Sequence, residues 1–149
     1  MTLAYPAQAA QRLAYLGLLP FIGGAVLAWL LPGVGDDTLE AHAFVMRGLS
    51  IYAATVISFL GALHWGAAMQ RGDAETAVFA WSVVPALLAA VAALMPAYAG
   101  LVVHGLLLLV CYGVDRVRYP GWGLQPWLTL RFRCTLAACL CCFLAAAAT

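Results

Sequence analysis

The chain has 149 residues, 66% of them hydrophobic and only 9% charged, with a formal net charge of +1. So little polar surface cannot coat a soluble globule of this size, and both fractions lie far from soluble averages, which makes the bilayer the expected solvent. The sequence contains no lysine, so no basic field exists to recruit nucleic acid, and a nucleic-acid partner is excluded.

At roughly 20 apolar residues per crossing, candidate helices fall near 11–31, 45–69, 76–95, 97–114 and 128–148. The expected fold is therefore all-α, an integral membrane bundle of about five transmembrane helices forming a single domain over residues 1–149. Met1 to Arg12 followed by Leu13 to Leu31 has the layout of a secretory signal, but the apolar stretch exceeds a signal's usual length and reads as a retained first helix. The PGVGDDTLEAH segment then reads as a loop carrying Asp36, Asp37 and Glu40, with His42 solvated.

The second helix carries Ser50, Ala54, Ser58, Ala62 and Gly66, small residues every four positions, which form a candidate packing seam within the protomer or between protomers. Its SFLGALHWG segment adds His64 and Trp65. An intramembrane imidazole is uncommon without a partner or a pathway, so His64 is either hydrogen-bonded within the bundle or part of a ligand or haem site. Ser58 and His64 lie on different faces, which disfavours a hydrolase dyad. A short RGDAE turn and the Met95-Pro96 break delimit the third helix. His104 lies near the middle of the fourth, and its depth differs from that of His64 by roughly 7 Å, against bis-histidine ligation of one haem.

Asp115 to Arg133 is the most informative segment, where charges, aromatics and helix breakers meet. Tyr119, Trp122 and Trp127 suit the headgroup belt, and Pro126 is placed to open the fifth helix. Arg131 and Arg133 then occupy that helix's opening turns, where the macrodipole disfavours cations unless Asp115, a lipid phosphate or an anionic ligand compensates. The candidate ligand-binding set is His64, Trp65, Asp115, Arg131 and Arg133. Four of the five cysteines lie in the last helix, Cys134 and Cys141 on one stripe with Cys139 and Cys142 displaced around it. A soft metal such as Cu(I) would suit such thiols, but without a CxxC spacing they read as small buried hydrophobes.

Arg12, Arg71, Arg116, Arg118, Arg131 and Arg133 belong to one side of the membrane and Arg47 to the other, which predicts a cytoplasmic N-terminus and a C-terminus outside. No nucleotide-binding loop, zinc motif, nucleophile elbow or paired intramembrane carboxylate occurs, so catalysis is not indicated and no cofactor is named. Three functions fit. The first is a non-enzymatic protein acting by association, as an accessory or assembly subunit of a larger membrane complex or as a homo-oligomer. The second is a bundle binding quinone, haem or lipid near the cytoplasmic leaflet. The third is a small transporter. Membrane lipids, other membrane subunits and the chain itself are the expected partners.

The segments LGLLPFIGG, YAATVISFLGALHWG, VVPALLA, YGVDR and PWLTLRFR together resemble the uncharacterised transmembrane-protein-69-like family. The resemblance spans most of the chain, and SFLG followed by HWG is its most specific piece. It implies a bacterial relative of a mitochondrial protein, located in a bacterial cytoplasmic membrane, with Ser58, Gly61, Trp65, Asp115 and Trp127 as shared positions. It brings no activity with it.

Overall fold

A computed structural model describes residues 5–31 and 36–148, and among these there are six α-helices and no strand. They are α1 (Gln8–Leu16), α2 (Leu19–Leu30), α3 (Asp36–Arg71), α4 (Thr76–Leu94), α5 (Ala97–Arg118) and α6 (Leu128–Ala146). Two 3-10 turns, Pro120–Trp122 and Gln125–Trp127, join α5 to α6. Five stretches of these residues are long and apolar enough to cross a bilayer, α1 and α2 forming one of them.

The first crossing is interrupted at Gly17 and Leu18. Pro20 falls in the first turn of α2 and offers no N–H to the preceding turn, while the Tyr52 hydroxyl donates to the Gly17 carbonyl at 2.8 Å and satisfies the break from α3. The second crossing begins earlier than its hydropathy indicates. Residues 36–42, expected as loop, are the first turns of α3, because Leu39, Glu40 and Ala41 are strong helix formers and acidic residues at a helix start complement its dipole. His42 accordingly lies on a helix, half-buried, with Nε2 shielded from water and without a hydrogen-bond partner, rather than solvated in a loop. The loop residues 32–35 lie outside the described residues. Residues 115–118 likewise extend α5 beyond its apolar stretch, and Arg116 and Arg118 suit its C-terminal dipole.

Alanines make up much of the interior, around larger side chains such as Phe21, Met46, Ile57, Leu101 and Leu108. Ala25, Ala28, Ala53, Ala89, Ala92, Ala138 and Ala145 are buried, while Leu19, Ile22, Trp29, Leu87, Val91 and Leu106 point outward. In lipid, where burial of an apolar chain gains little, close backbone approach through small residues is what holds helices together. α3 is central, packing on α2, α4 and α5, and α6 closes the bundle against α2 and α5. Close approaches occur at Gly100, against the Ala92 carbonyl, and at Gly61, where a Cβ would stand 2.5 Å from the Ser82 carbonyl oxygen of α4. The buried stripe of α3 runs Met46, Leu49, Ser50, Ala53, Ile57, Leu60, Gly61, His64 and Ala68, at the 3.6-residue period. The five-residue ladder does not follow this stripe. Each four-residue step rotates about 40°, so Ser50 is buried, Ala54 and Ser58 are half-buried, and Ala62 and Gly66 are exposed.

His104, fully buried, has its donor and acceptor needs met. Its Nε2–H donates to the Ala89 carbonyl at 3.1 Å, which leaves Nδ1 to accept from the Ser50 hydroxyl at 3.4 Å.

Candidate functional site

Three polar side chains from three helices meet at the end of the bundle where α3 and α5 finish and α6 begins. Asp115 and His64 each occupy the buried stripe of their own helix and are 2% exposed. His64 Nε2–H donates to Asp115 Oδ1 at 2.7 Å. Arg131, in the second turn of α6, brings Nε to 2.8 Å and Nη2 to 2.6 Å of Asp115 Oδ2. Both guanidinium nitrogens converge on this one oxygen, because Oδ1 already serves His64. Nε makes the directed hydrogen bond, whereas Nη2 approaches off the hydrogen-bonding direction and keeps unspent donor capacity. The Asp115 carboxylate thus compensates a cation placed against the α6 dipole, the tension apparent in the sequence.

The α5–α6 connection covers this network. It is organised on the Tyr119 carbonyl, which accepts from the N–H groups of Trp122 and Leu124, both at 3.0 Å, and Gly123, at φ 71°, supplies the left-handed residue that turns the chain back. Trp122 meets the His64 ring edge-on at 5.0 Å, and Arg71 lies over the outer face of the indole at 4.2 Å while pairing with Asp73 at 3.0 Å. Tyr119 is buried beside the ion pair. Burial first, then the Asp115 charge, pushes its phenol up to about 12, so the hydroxyl stays protonated. Asp73, at the exposed rim, is held below its ordinary value by the Glu75 N–H and by Arg71.

Beside the network lies an elongated cavity of about 640 Å³, between α1, α3 and α6, with Tyr119, Trp122, Trp127 and Arg131 at one end and Phe21, Tyr52, Leu108 and Ala138 at the other. Its walls are otherwise aliphatic and aromatic, and the volume lies within the range of small-molecule sites.

The family model for "Protein of unknown function (DUF3429)" matches residues 6–147. The chain belongs to that family. Neither a curated protein nor a solved structure matches it.

Of the five candidate ligand residues in this DUF3429 chain, His64, Asp115 and Arg131 come together and Trp65 and Arg133 stand apart. Trp65 follows His64 by one residue, about 100° around the helix. It faces outward, 44% exposed, against Phe79. Arg133 is two residues, about 200°, from Arg131. It is exposed, 3.5 Å from the Tyr15 hydroxyl, so the Arg131 and Arg133 guanidinium groups do not converge on one point. His64 and His104 hold separate partners on separate helices. The cysteines are all free: Cys111, Cys139 and Cys142 are buried, Cys134 lines the cavity, and among the described residues no three His, Cys, Asp or Glu side chains are grouped to hold a metal ion. Thr135, also in the cavity wall, was not singled out by the sequence. Its only signal is the four-residue interval from Trp127 through Arg131.

Proposed function

We propose that this protein binds an apolar or amphipathic small molecule in the cavity between α1, α3 and α6, at the end of the bundle that carries most of its arginines. The observation that carries this reading is the juxtaposition of an elongated apolar cavity with a buried, compensated His64–Asp115–Arg131 network at one end. A bilayer-facing bundle with no ligand to hold would not require a polar network at that depth, because every such group is costly to place there. The bundle sits in a bacterial cytoplasmic membrane with the arginine-rich end in the cytoplasm, as the arginine distribution and the transmembrane-protein-69-like resemblance suggest, and it acts as a binding protein rather than as an enzyme.

Native mass spectrometry of gently purified protein, paired with its absorption spectrum, tests this. A reproducible bound mass that disappears when Leu60 and Ala138 are enlarged to tryptophan supports the reading. Protein that carries no small molecule when extracted from its own membrane, and binds none when supplied, refutes it.

A second reading, association with other copies or other membrane subunits, is favoured by the outer half of the small-residue ladder. Ala62 and Gly66 are exposed, and among the described residues nothing outside the adjoining turns of α3 lies within 4 Å of a Cβ at Gly66. Leucine at both positions would then disrupt the assembly while leaving the monomer folded.

A further inference from the structure

Four buried side-chain polar atoms among the described residues lack a directed hydrogen bond, and three of them belong to residues that line the cavity: Trp127 Nε1, Arg131 Nη2 and Thr135 Oγ1. Arg131 Nη2 still touches Asp115 Oδ2 at 2.6 Å, which leaves Trp127 Nε1 and Thr135 Oγ1 wholly without a partner. Buried donors are satisfied in the great majority of cases, so two such atoms on either side of Arg131 require an explanation. Trp127, which ends the second 3-10 turn in helical conformation, Arg131 and Thr135 succeed one another at intervals of four residues, which sets them along one side of the opening of α6 with a rise of about 6 Å per step. All three atoms donate, the Thr135 hydroxyl in either sense. Thr135 is only 3% exposed, and its hydroxyl makes no bond to its own helix, although Ser58 and Ser82 each bond the carbonyl four residues back.

The charge balance narrows what such a wall can hold. Arg131 is neutralised by Asp115, and Arg133 lies outside the cavity lining. A phosphate or carboxylate entering here would meet a guanidinium whose charge is already matched by Asp115 at 2.6 Å, with the Asp115 charge directly behind it. An uncharged oxygen acceptor incurs no such cost and satisfies donors that are otherwise unmet. Resting on the cavity reading above, the geometry points to a neutral amphipath whose head carries two or more acceptor oxygens, carbonyl oxygens in the first instance, set along the Trp127–Arg131–Thr135 wall with its hydrocarbon tail toward Phe21 and Ala138. A quinone with an alkyl or prenyl tail and a diacylglycerol are two sources of that chemistry.

Isothermal titration of the full chain in micelles with four probes tests this: a decyl-benzoquinone, didecanoylglycerol, decyl phosphate and decylbenzene. The expected result is that at least one dicarbonyl probe binds at least tenfold more tightly than decyl phosphate and decylbenzene, and which one does so identifies the source. Thr135→Val, isosteric with the native residue, should weaken that probe about three- to tenfold and leave decylbenzene unchanged, and Trp127→Phe, which removes the indole N–H together with part of the ring, should weaken that probe more than it weakens decylbenzene. Equal binding of all four probes, or variants without effect, overturns the neutral-head assignment while leaving the cavity reading standing. Tighter binding of decyl phosphate overturns it in favour of an anion site. Failure of every probe, decylbenzene included, removes the cavity reading itself.

Discussion

Replacing Asp115 with asparagine removes the anion that Arg131 contacts and converts a compensated pair into a cation set against the start of α6. The side chains of Asp115 and Arg131 are 3% and 12% exposed. Breaking a pair so buried costs about 3 to 5 kcal/mol, most of it the cost of the charge left behind. Arg131 is the more accessible partner and can shift toward the interface, which puts Asp115→Asn near the lower end, at about 3 kcal/mol. Arg131→Gln strands a more deeply enclosed carboxylate with His64 alone and should cost about 3 to 5 kcal/mol. The double variant leaves no uncompensated charge and exchanges charged hydrogen bonds for amide ones, a loss of about 1 to 2 kcal/mol. The two singles therefore sum to roughly four times the double, a coupling far beyond the few tenths of a kcal/mol seen for independent sites. Reversible unfolding in mixed micelles, following helix content as the fraction of denaturing detergent rises, measures all four forms. Additive behaviour, or an Asp115→Asn protein within about 0.5 kcal/mol of the parent, which is the range of an ordinary surface change, would refute the account of the pair.

The same unfolding assay separates two glycines of α3. Gly61→Ala drives a Cβ against the Ser82 backbone and should cost about 1 to 3 kcal/mol, whereas Gly66→Ala, with open space around it, should lie within about 0.5 kcal/mol of the parent. Loss of stability at Gly66 in the monomer would contradict the placement of that face on the outside. The Tyr119 phenol gives a pH dependence of known sign. Its folded value of about 12 lies above the ordinary 10.0, so the folded state holds this proton more firmly than the unfolded chain does. Its contribution is complete below pH 10 and is lost as pH rises toward 12. The total is about 2 to 3 kcal/mol. Tyr119→Phe should flatten that part of the profile, and a profile identical in the two proteins would show that Tyr119 is not the group responsible.

The five crossings were legible because hydropathy reports solvent, and in a bilayer solvent sets the length of each apolar run. The helix ends were less so, for the same reason. Residues 36–42 and 115–118 are helical yet largely polar, and a scale that measures preference for hydrocarbon cannot see a helix continuing into the interface. Within LGLLPFIGG, Gly17 and Pro20 mark where the first crossing can break, but the Tyr52 hydroxyl that satisfies the Gly17 carbonyl comes from 35 residues away, and nothing local supplies it. The small-residue ladder shows the converse error. A spacing of four repeats cleanly in sequence, but over 16 residues it turns nearly half-way round a 3.6-residue helix, so its two ends cannot share one seam.

At the candidate site, electrostatics carried further than pattern. Arg131 near the start of α6 is a cation at the positive end of a dipole, and that conflict alone calls for an anion nearby. Asp115 lies on the buried stripe of α5 with Leu101, His104, Leu108 and Cys111, and was therefore the acid best placed to answer it. The same reasoning could not separate Arg131 from Arg133, because the argument from the dipole is blind to azimuth, whereas two residues of helix turn one guanidinium inward and the other out. It also could not reach Trp127 and Thr135. A tryptophan beside the interface and a threonine among alanines and cysteines are unremarkable in sequence, since each ordinarily finds a partner in its own helix or in the headgroups. They become informative only when the packed chain withholds those partners and sets both residues beside Arg131 in the wall of one cavity. The neutral-head assignment therefore stands on hydrogen bonds that the chain leaves unmade, and the asymmetry between a buried donor left alone and one supplied with an acceptor is what a bound ligand would relieve.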